Sequence, residues 1–180
     1  MSLKKKPWTT VLFAIVVIAY AGRYIYKKPN VDPGEMAPPV TGQLISGENF
    51  QLTDLKGHIV LVDFWGSWCG PCRRENPHLV ALYKKYEHAK FKNADGFKIV
   101  SVGIERDEKR WKKAIQSDQL YWPHHIMDKV SNFKFFDAAI ANGYGVTNVP
   151  AKFLLSTDLQ TIGVNQSISE LDEWLAGEVE

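Results

Sequence analysis

The sequence predicts an α/β domain built on a central sheet covered by helices. Two continuous apolar runs, Ile59–Trp65 (IVLVDFW) and Phe97–Glu105 (FKIVSVGIE), have the composition of strands buried on both faces. Between them, Leu79, Leu82, Tyr83 and Tyr86 fall at i, i+3, i+4 and i+7, the spacing of a helix with one buried face. Strands alternating with helices argue for a sheet with helices packed on it. The chain has 180 residues, 45% of them hydrophobic and 12% aromatic, which suits one folded domain and excludes a disordered chain.

The N-terminus differs from the rest. Residues 1–28 contain six basic side chains (Lys4, Lys5, Lys6, Arg23, Lys27, Lys28) and no acid. The chain has 22 basic and 20 acidic residues, so the remainder is mildly acidic and gives no electrostatic reason to expect nucleic-acid binding. From Pro7 to Gly22 no residue is charged. Sixteen residues make about 24 Å of helix, short of the ~30 Å hydrocarbon core. Continuing to Tyr26, with Arg23 snorkelling and Tyr24 and Tyr26 at the interface, brings the length to about 20 residues. Residues 1–28 are therefore expected to form an uncleaved signal anchor. The alternative is a cleaved signal peptide, because Ala19-Tyr20-Ala21 fits a small-x-small cleavage site. Either way the body is exported, and the N-terminal lysines agree with an inside N-terminus.

Residues 29–39, rich in Pro and Gly, read as an extended linker, and residues 40–180 as the folded domain. Short alternating stretches in Gly42–Leu55, broken at Ser46-Gly47, suggest a hairpin. A helix should begin near Pro71, and Asp107 can cap a second one that turns Trp111, Ala114 and Ile115 inward. A further helix is expected around Phe133–Asn142, ending at Gly143. Ala151–Ser156 and Thr161–Asn165 read as two strands joined by a turn. Ser167-x-x-Glu170 is a capping box ahead of Leu171, Trp174 and Leu175.

The two cysteines, Cys69 and Cys72, stand where a buried strand gives way to a helix. At a helix N-terminus, unpaired N–H groups and the dipole favour an anion, which lowers a thiol pKa from about 8.5. Cys69 is thus the expected nucleophile. Pro71 is expected at the first helical position, where its missing N–H costs nothing. Cys72, one turn further in and more buried, is placed to attack a mixed disulfide formed by Cys69, so the pair can cycle between dithiol and disulfide. The competing reading is half of a metal site. Zinc wants four ligands, and the histidines (His58, His78, His88, His124, His125) lack metal-ligand spacing. Copper held by two thiolates and one distant histidine stays open as an alternative.

The run Val62-Asp63-Phe64-Trp65-Gly66-Ser67-Trp68-Cys69-Gly70-Pro71-Cys72 resembles the active-site strand, turn and helix start of the thioredoxin superfamily. From about Ala37 to Ala176 the body is more particularly similar to the membrane-tethered thiol–disulfide oxidoreductases of bacteria, the TlpA/ResA-like group. Pro77 and the segment Tyr144-Gly145-Val146 leading to Val149-Pro150 add to the likeness. The resemblance implies a thioredoxin fold: a central mixed sheet flanked by helices, with an extra N-terminal hairpin. It makes Cys69 and Cys72 a redox-active disulfide and Pro150 a cis-proline. It also frees the Val149 backbone to pair with substrate and sets Trp68 as the aromatic shield. Asp63 coincides with the buried acid of ordinary thioredoxins and Glu75 with the acid near the second cysteine in the tethered group. Either, as a desolvated carboxylate, can take the proton of Cys72.

Two departures stand near the implied substrate groove. Ala151-Lys152-Phe153 follows Pro150 where relatives usually carry small hydroxyl residues, and the hairpin Ser156–Gln160 lacks the customary glycine. The activity implied is an extracytoplasmic thiol–disulfide oxidoreductase, a reductase of protein disulfides by its Gly-Pro dipeptide, with apocytochrome c among the candidate substrates. No cofactor or metal is expected. The implied partners are proteins with disulfide or dithiol groups and a transmembrane electron donor, and the protein is expected as a monomer tethered on the periplasmic side of the inner membrane. A copper-handling metallochaperone is the alternative. A thiol peroxidase is disfavoured because Val62 and Gly66 stand where its motif needs Pro and Thr or Ser.

Overall fold

In chain order the elements are α1 (Trp8–Lys27), β1 (Thr41–Gln43), β2 (Asn49–Gln51), β3 (Ile59–Trp65), α2 (Gly70–Tyr86), β4 (Phe97–Glu105), α3 (Glu108–Ser117), β5 (His124–Lys129), α4 (Ala139–Gly143), β6 (Ala151–Leu155), β7 (Thr161–Val164) and α5 (Ile168–Glu178). They come from a computed structural model that describes residues 8–27, 30–131 and 137–180. Five strands form one sheet in the order β5-β4-β3-β6-β7. β3 pairs parallel with β4, and β4 with β5, whereas β6 runs antiparallel to β3 and to β7. This is the mixed sheet that the resemblance implies, with β1 and β2 forming the extra hairpin.

Alternation along β3 sorts the core into two halves. Ile59, Leu61 and Trp65 point to the side where Leu79, Leu82, Tyr83 and Tyr86 of α2 pack with Trp111, Ala114 and Ile115 of α3 and Leu171 and Leu175 of α5. Val60, Val62 and Phe64 point to the other side, against Ala138, Ala141, Tyr144 and Phe50. With both faces covered, β3 has no polar side to show, which is why it reads as an apolar run. The capping expectations hold: the Asp107 carboxylate accepts from Lys109 N–H and Arg110 N–H, and Ser167 with Glu170 forms a capping box.

Two expectations change, and one strand was not foreseen. The helix expected around Phe133–Asn142 is α4, only five residues long; Asp137 and Ala138 precede it outside the helix, and residues 132–136 lie outside the described residues. β5 has no counterpart in the sequence reading, since His124-His125-Ile126-Met127-Asp128-Lys129 shows neither alternation nor an apolar run. Its outer edge is covered by the hairpin, where Ile45 N–H donates to His125 O and Leu44 bridges Ile126. The segment from Asn30 to Pro39 is not a free extended linker: it turns at Pro33-Gly34, where Glu35 N–H donates to Asp32 O, and it lies along the domain. Asn30, Gly34 and Ala37 donate to the carbonyls of Tyr144, Thr161 and Leu159, and Val31 is buried.

In α1 the side chains of Val11, Leu12, Phe13, Ile15, Val16, Val17 and Ile18 are exposed. Among the described residues no helix is long and apolar enough to cross a membrane. Lys4, Lys5 and Lys6, and the side chains of Arg23, Tyr24 and Tyr26 on which the anchor expectation also drew, lie outside the described residues. At the β6–β7 turn, the missing glycine is replaced by Leu159, which takes the left-handed φ of 64° while its side chain is buried.

Candidate active site

β3 ends at Trp65, and the four residues that follow bring the chain to the first turn of α2. Each is tied down. Ser67 N–H donates to the buried Glu105 carboxylate at the end of β4, and Trp68 Nε1–H donates to Ile104 O at 2.8 Å. The Trp68 indole folds back over Gly66, whose absent Cβ would lie 2.6 Å from Nε1, so this turn requires glycine. Burial pushes the Glu105 carboxyl upward and the Ser67 hydrogen bonds pull it down.

Cys69 is the N-cap of α2, Gly70 takes the first helical position expected of Pro71, which stands second, and Cys69 and Cys72 form a disulfide. Cys72 N–H donates to Cys69 Sγ at 3.2 Å. The expected contrast in burial is small: Cys69 is 4% exposed and Cys72 2%. What distinguishes Cys69 is its place at the helix N-terminus, where the amide dipoles converge on its sulfur. Gly70 and Pro71 beside the pair are exposed. Facing it is the Val149–Pro150 peptide, which is cis, and the Val149 carbonyl oxygen lies 3.8 Å from Cys69 Sγ. Cys69, Cys72, Trp68, Val149 and Pro150 thus come together from a loop, a helix and the approach to β6.

Asp63 lies on the α2 side of the sheet, two residues from Leu61 and Trp65, and is 2% exposed. Ser101 of β4 is its parallel neighbour and donates to Oδ2 at 3.5 Å; Trp122 Nε1–H in turn donates to Ser101 Oγ at 3.0 Å. Lys152 of β6 is the antiparallel partner of Asp63 and is 6% exposed. Burial raises the Asp63 carboxyl from 3.8 to about 7, against the opposing pull of Lys152. Glu75 sits in the first turns of α2, partly buried, with both oxygens 2.8 Å from Lys152 Nζ. The structure therefore brings both expected acids to the neighbourhood of one lysine, with Glu75 bound to it.

Sequence reasoning noted Lys152 as a departure without giving it a role, and it missed Ser101, Glu105 and Trp122. One signal was available: a polar residue inside an apolar strand demands a partner. That rule singled out Asp63, and it applies equally to Ser101 in IVSVGI and to Lys152 in AKFLL.

Comparison with known proteins agrees with this geometry. A family profile described as thioredoxin-like matches residues 57–161, more than half of the chain. A thiol-disulfide oxidoreductase ResA of Bacillus thuringiensis is 30% identical, over 90% of this chain and 87% of its own length. The thioredoxin-like protein YneN of Bacillus subtilis is also 30% identical, over 83% and 84%. Among solved structures, the thioredoxin domain of a thiol-disulfide oxidoreductase from Bacteroides vulgatus superposes with a TM-score of 0.69 at 28% identity, covering 82% of this chain and 98% of that one. A thiol:disulfide interchange protein from a Bacteroides species gives 0.67 at 28% identity, over 82% and 90%. With its Cys-Gly-Pro-Cys pair at the head of α2, this chain belongs to the thioredoxin-like family and is a thiol–disulfide oxidoreductase.

Proposed function

We propose that the chain is a protein-disulfide reductase working outside the cytoplasm, held at the membrane through α1 and contributing to cytochrome c maturation. The observation that carries this reading is the Cys69–Cys72 pair at the N-terminus of α2, beside the Val149 carbonyl and on the same side of the sheet as the buried Asp63.

In this reading the reduced Cys69 thiolate attacks one sulfur of a substrate disulfide. That S–S bond breaks, a Cys69–substrate mixed disulfide forms, and the other substrate sulfur leaves as a thiolate. Asp63, as carboxylate, takes the proton of Cys72, directly or through a water. The Cys72 thiolate then attacks Cys69 Sγ and displaces the second substrate sulfur. The substrate has gained two electrons and the pair is a disulfide. The Val149 backbone pairs with the extended substrate segment, and Trp68 covers the reacting sulfurs. A transmembrane donor restores the dithiol, since an oxidising compartment supplies no reductant.

Support for membrane attachment comes from the exposed apolar side chains of α1 and from basic residues on both sides of it in the sequence. The Gly-Pro dipeptide resembles that of reducing members. The copper-handling alternative has less support, because among the described residues no three His, Cys, Asp or Glu side chains are grouped as a metal site. Stoichiometric copper that survives dialysis, without disulfide-reducing activity, would favour it.

The test is made in the cells that produce the protein. Acid quenching followed by thiol labelling should find the cysteine pair mostly reduced. The full-length chain should stay with the membrane after a carbonate wash, and protease added to cells with opened outer layers should digest residues 30–180. Loss of the gene should lower holocytochrome c, with recovery when dithiothreitol is supplied. A mostly oxidised pair would reverse the direction of electron flow. A washed-off protein beginning at Gly22 would establish the cleaved-signal alternative.

A further inference from the structure

Lys152 stands beside Asp63 in a polar row that crosses an otherwise apolar sheet. His125 of β5 is in register with Ser101 of β4, Ser101 with Asp63 of β3, and Asp63 with Lys152 of β6. Across the next edge, Lys152 N–H donates to Asn165 Oδ1 at 3.0 Å and Asn165 N–H donates to Lys152 O at 2.7 Å, which pins the backbone that carries the lysine. From above the sheet, the Glu75 carboxylate of α2 grips Lys152 Nζ with both oxygens at 2.8 Å. A buried ammonium needs such a partner, and a buried carboxyl beside it feels its charge with little screening by water.

We propose that Lys152 is a positioning residue of the redox site: held by Glu75 at the edge of Asp63, it sets the ionisation of the acid that receives the Cys72 proton, and Glu75 acts through Lys152 and not on the thiol. This rests on the reading of Asp63 as that proton acceptor. The groups acting on Asp63 are Ser101 from β4, Lys152 from β6 and Glu75 from α2, and the cysteines at the start of α2 lie in the cluster on the same side of the sheet. Further along the row, His125 stacks on Trp122, and burial lowers its imidazole to about 4, so it is neutral at pH 7. Lys152 is the cation that acts on Asp63 and Glu75 is the competing anion. Glu75, three residues after Cys72 on the helix, is near enough in sequence to act on the sulfur itself, but both of its oxygens are committed to the lysine.

The two sides of the ion pair then have opposite effects. Lys152→Met keeps the length of the side chain and removes the charge, so the Asp63 carboxyl should titrate higher, by about 1–3 pH units. Glu75→Gln removes a like charge and frees the lysine, so Asp63 should titrate lower. If Glu75 were the base for Cys72, the same variant would slow resolution at every pH.

The experiment is a carboxyl-carbon NMR titration of Asp63 in the full-length protein, paired with the pH profile of mixed-disulfide resolution from rapid mixing of the dithiol form with an oxidised peptide. Expected results are an Asp63 midpoint and a rate profile that move up together in Lys152→Met, return in Lys152→Arg, and move down in Glu75→Gln with the high-pH plateau kept. An Asp63 midpoint unmoved by Lys152→Met overturns the proposal, as does a Glu75→Gln plateau lowered tenfold or more at all pH values. If the midpoint moves while the rate profile stays, the proposal also fails. Asp63→Asn then identifies the cause: an unchanged resolution rate in that variant means that the reading of Asp63 as proton acceptor has failed. Should Lys152→Met not fold, Glu75→Gln and Lys152→Arg carry the same test, because the downward shift and the retention of the wild-type profile are each predicted.

Discussion

Cys72→Ser is expected to accumulate mixed disulfides with protein substrates, and Cys69→Ser to accumulate almost none, while neither variant turns over. Cys69 caps α2, so its thiolate is stabilised by the helix dipole and by the Cys72 N–H that already points at its sulfur. With Cys72 replaced, the first attack proceeds and the second cannot, so the covalent intermediate is trapped. With Cys69 replaced, Cys72 lacks the N-terminal position and is 2% exposed. Because the two sulfurs are nearly equally buried, the asymmetry is electrostatic. Alkylation of the dithiol protein should accordingly show a lower midpoint for Cys69 than the ~8.5 of a free thiol, and no such lowering for Cys72. Non-reducing gels with peptide mapping of the captured partner check the first point. Equal trapping by the two variants would remove this division of roles.

Asp63→Asn should slow resolution of the mixed disulfide by about 100-fold at pH 8, with little change in the rate at which Cys69 is alkylated. The amide keeps the shape and the Ser101 contact but offers no basic oxygen. The same substitution should stabilise the fold, and the pH dependence follows from the carboxyl. Folding raises it from 3.8 to about 7, so between these values the folded chain keeps a proton that the unfolded chain has released. Stability of the wild type therefore falls as pH rises through this window, and the deficit is complete above pH 7. Asp63→Asn should gain on the order of 4 kcal/mol at pH 8 and almost nothing at pH 3, where the acid is protonated in both states. Urea melts at the two pH values measure this. A gain that does not depend on pH would mean that the carboxylate is not desolvated in the fold.

The parts of the fold that were legible are those whose local pattern and tertiary role agree. β3 and β4 are largely apolar because both of their faces are covered, with Asp63 and Ser101 as polar interruptions, and α2 carries its buried residues at helical spacing with Cys69 and Pro71 at its head. β5 was not legible, since two histidines, a methionine and an aspartate carry no strand signal; the hairpin residues Leu44 and Ile45, about 80 residues earlier, shelter its edge. The cysteine pair was legible because its chemistry is local. The Lys152–Glu75 pair was not: it depends on β6 lying antiparallel beside β3 in a register that sets Lys152 opposite Asp63, and no spacing in the sequence encodes that pairing. The near-equal burial of the two cysteines was missed for a similar reason, because the Val149 segment that lies against Cys69 arrives from 80 residues away.

The central claim is that the Cys69–Cys72 pair delivers two electrons to a disulfide in another protein. Mixing a known amount of the dithiol protein with an oxidised protein substrate, quenching in acid and counting thiols on both partners by mass spectrometry tests it directly. The account predicts one Cys69–Cys72 disulfide formed for each substrate disulfide opened, with none opened when Cys69 is replaced by serine. Substrate disulfides that stay closed, or that open while Cys69 and Cys72 remain thiols, would contradict it.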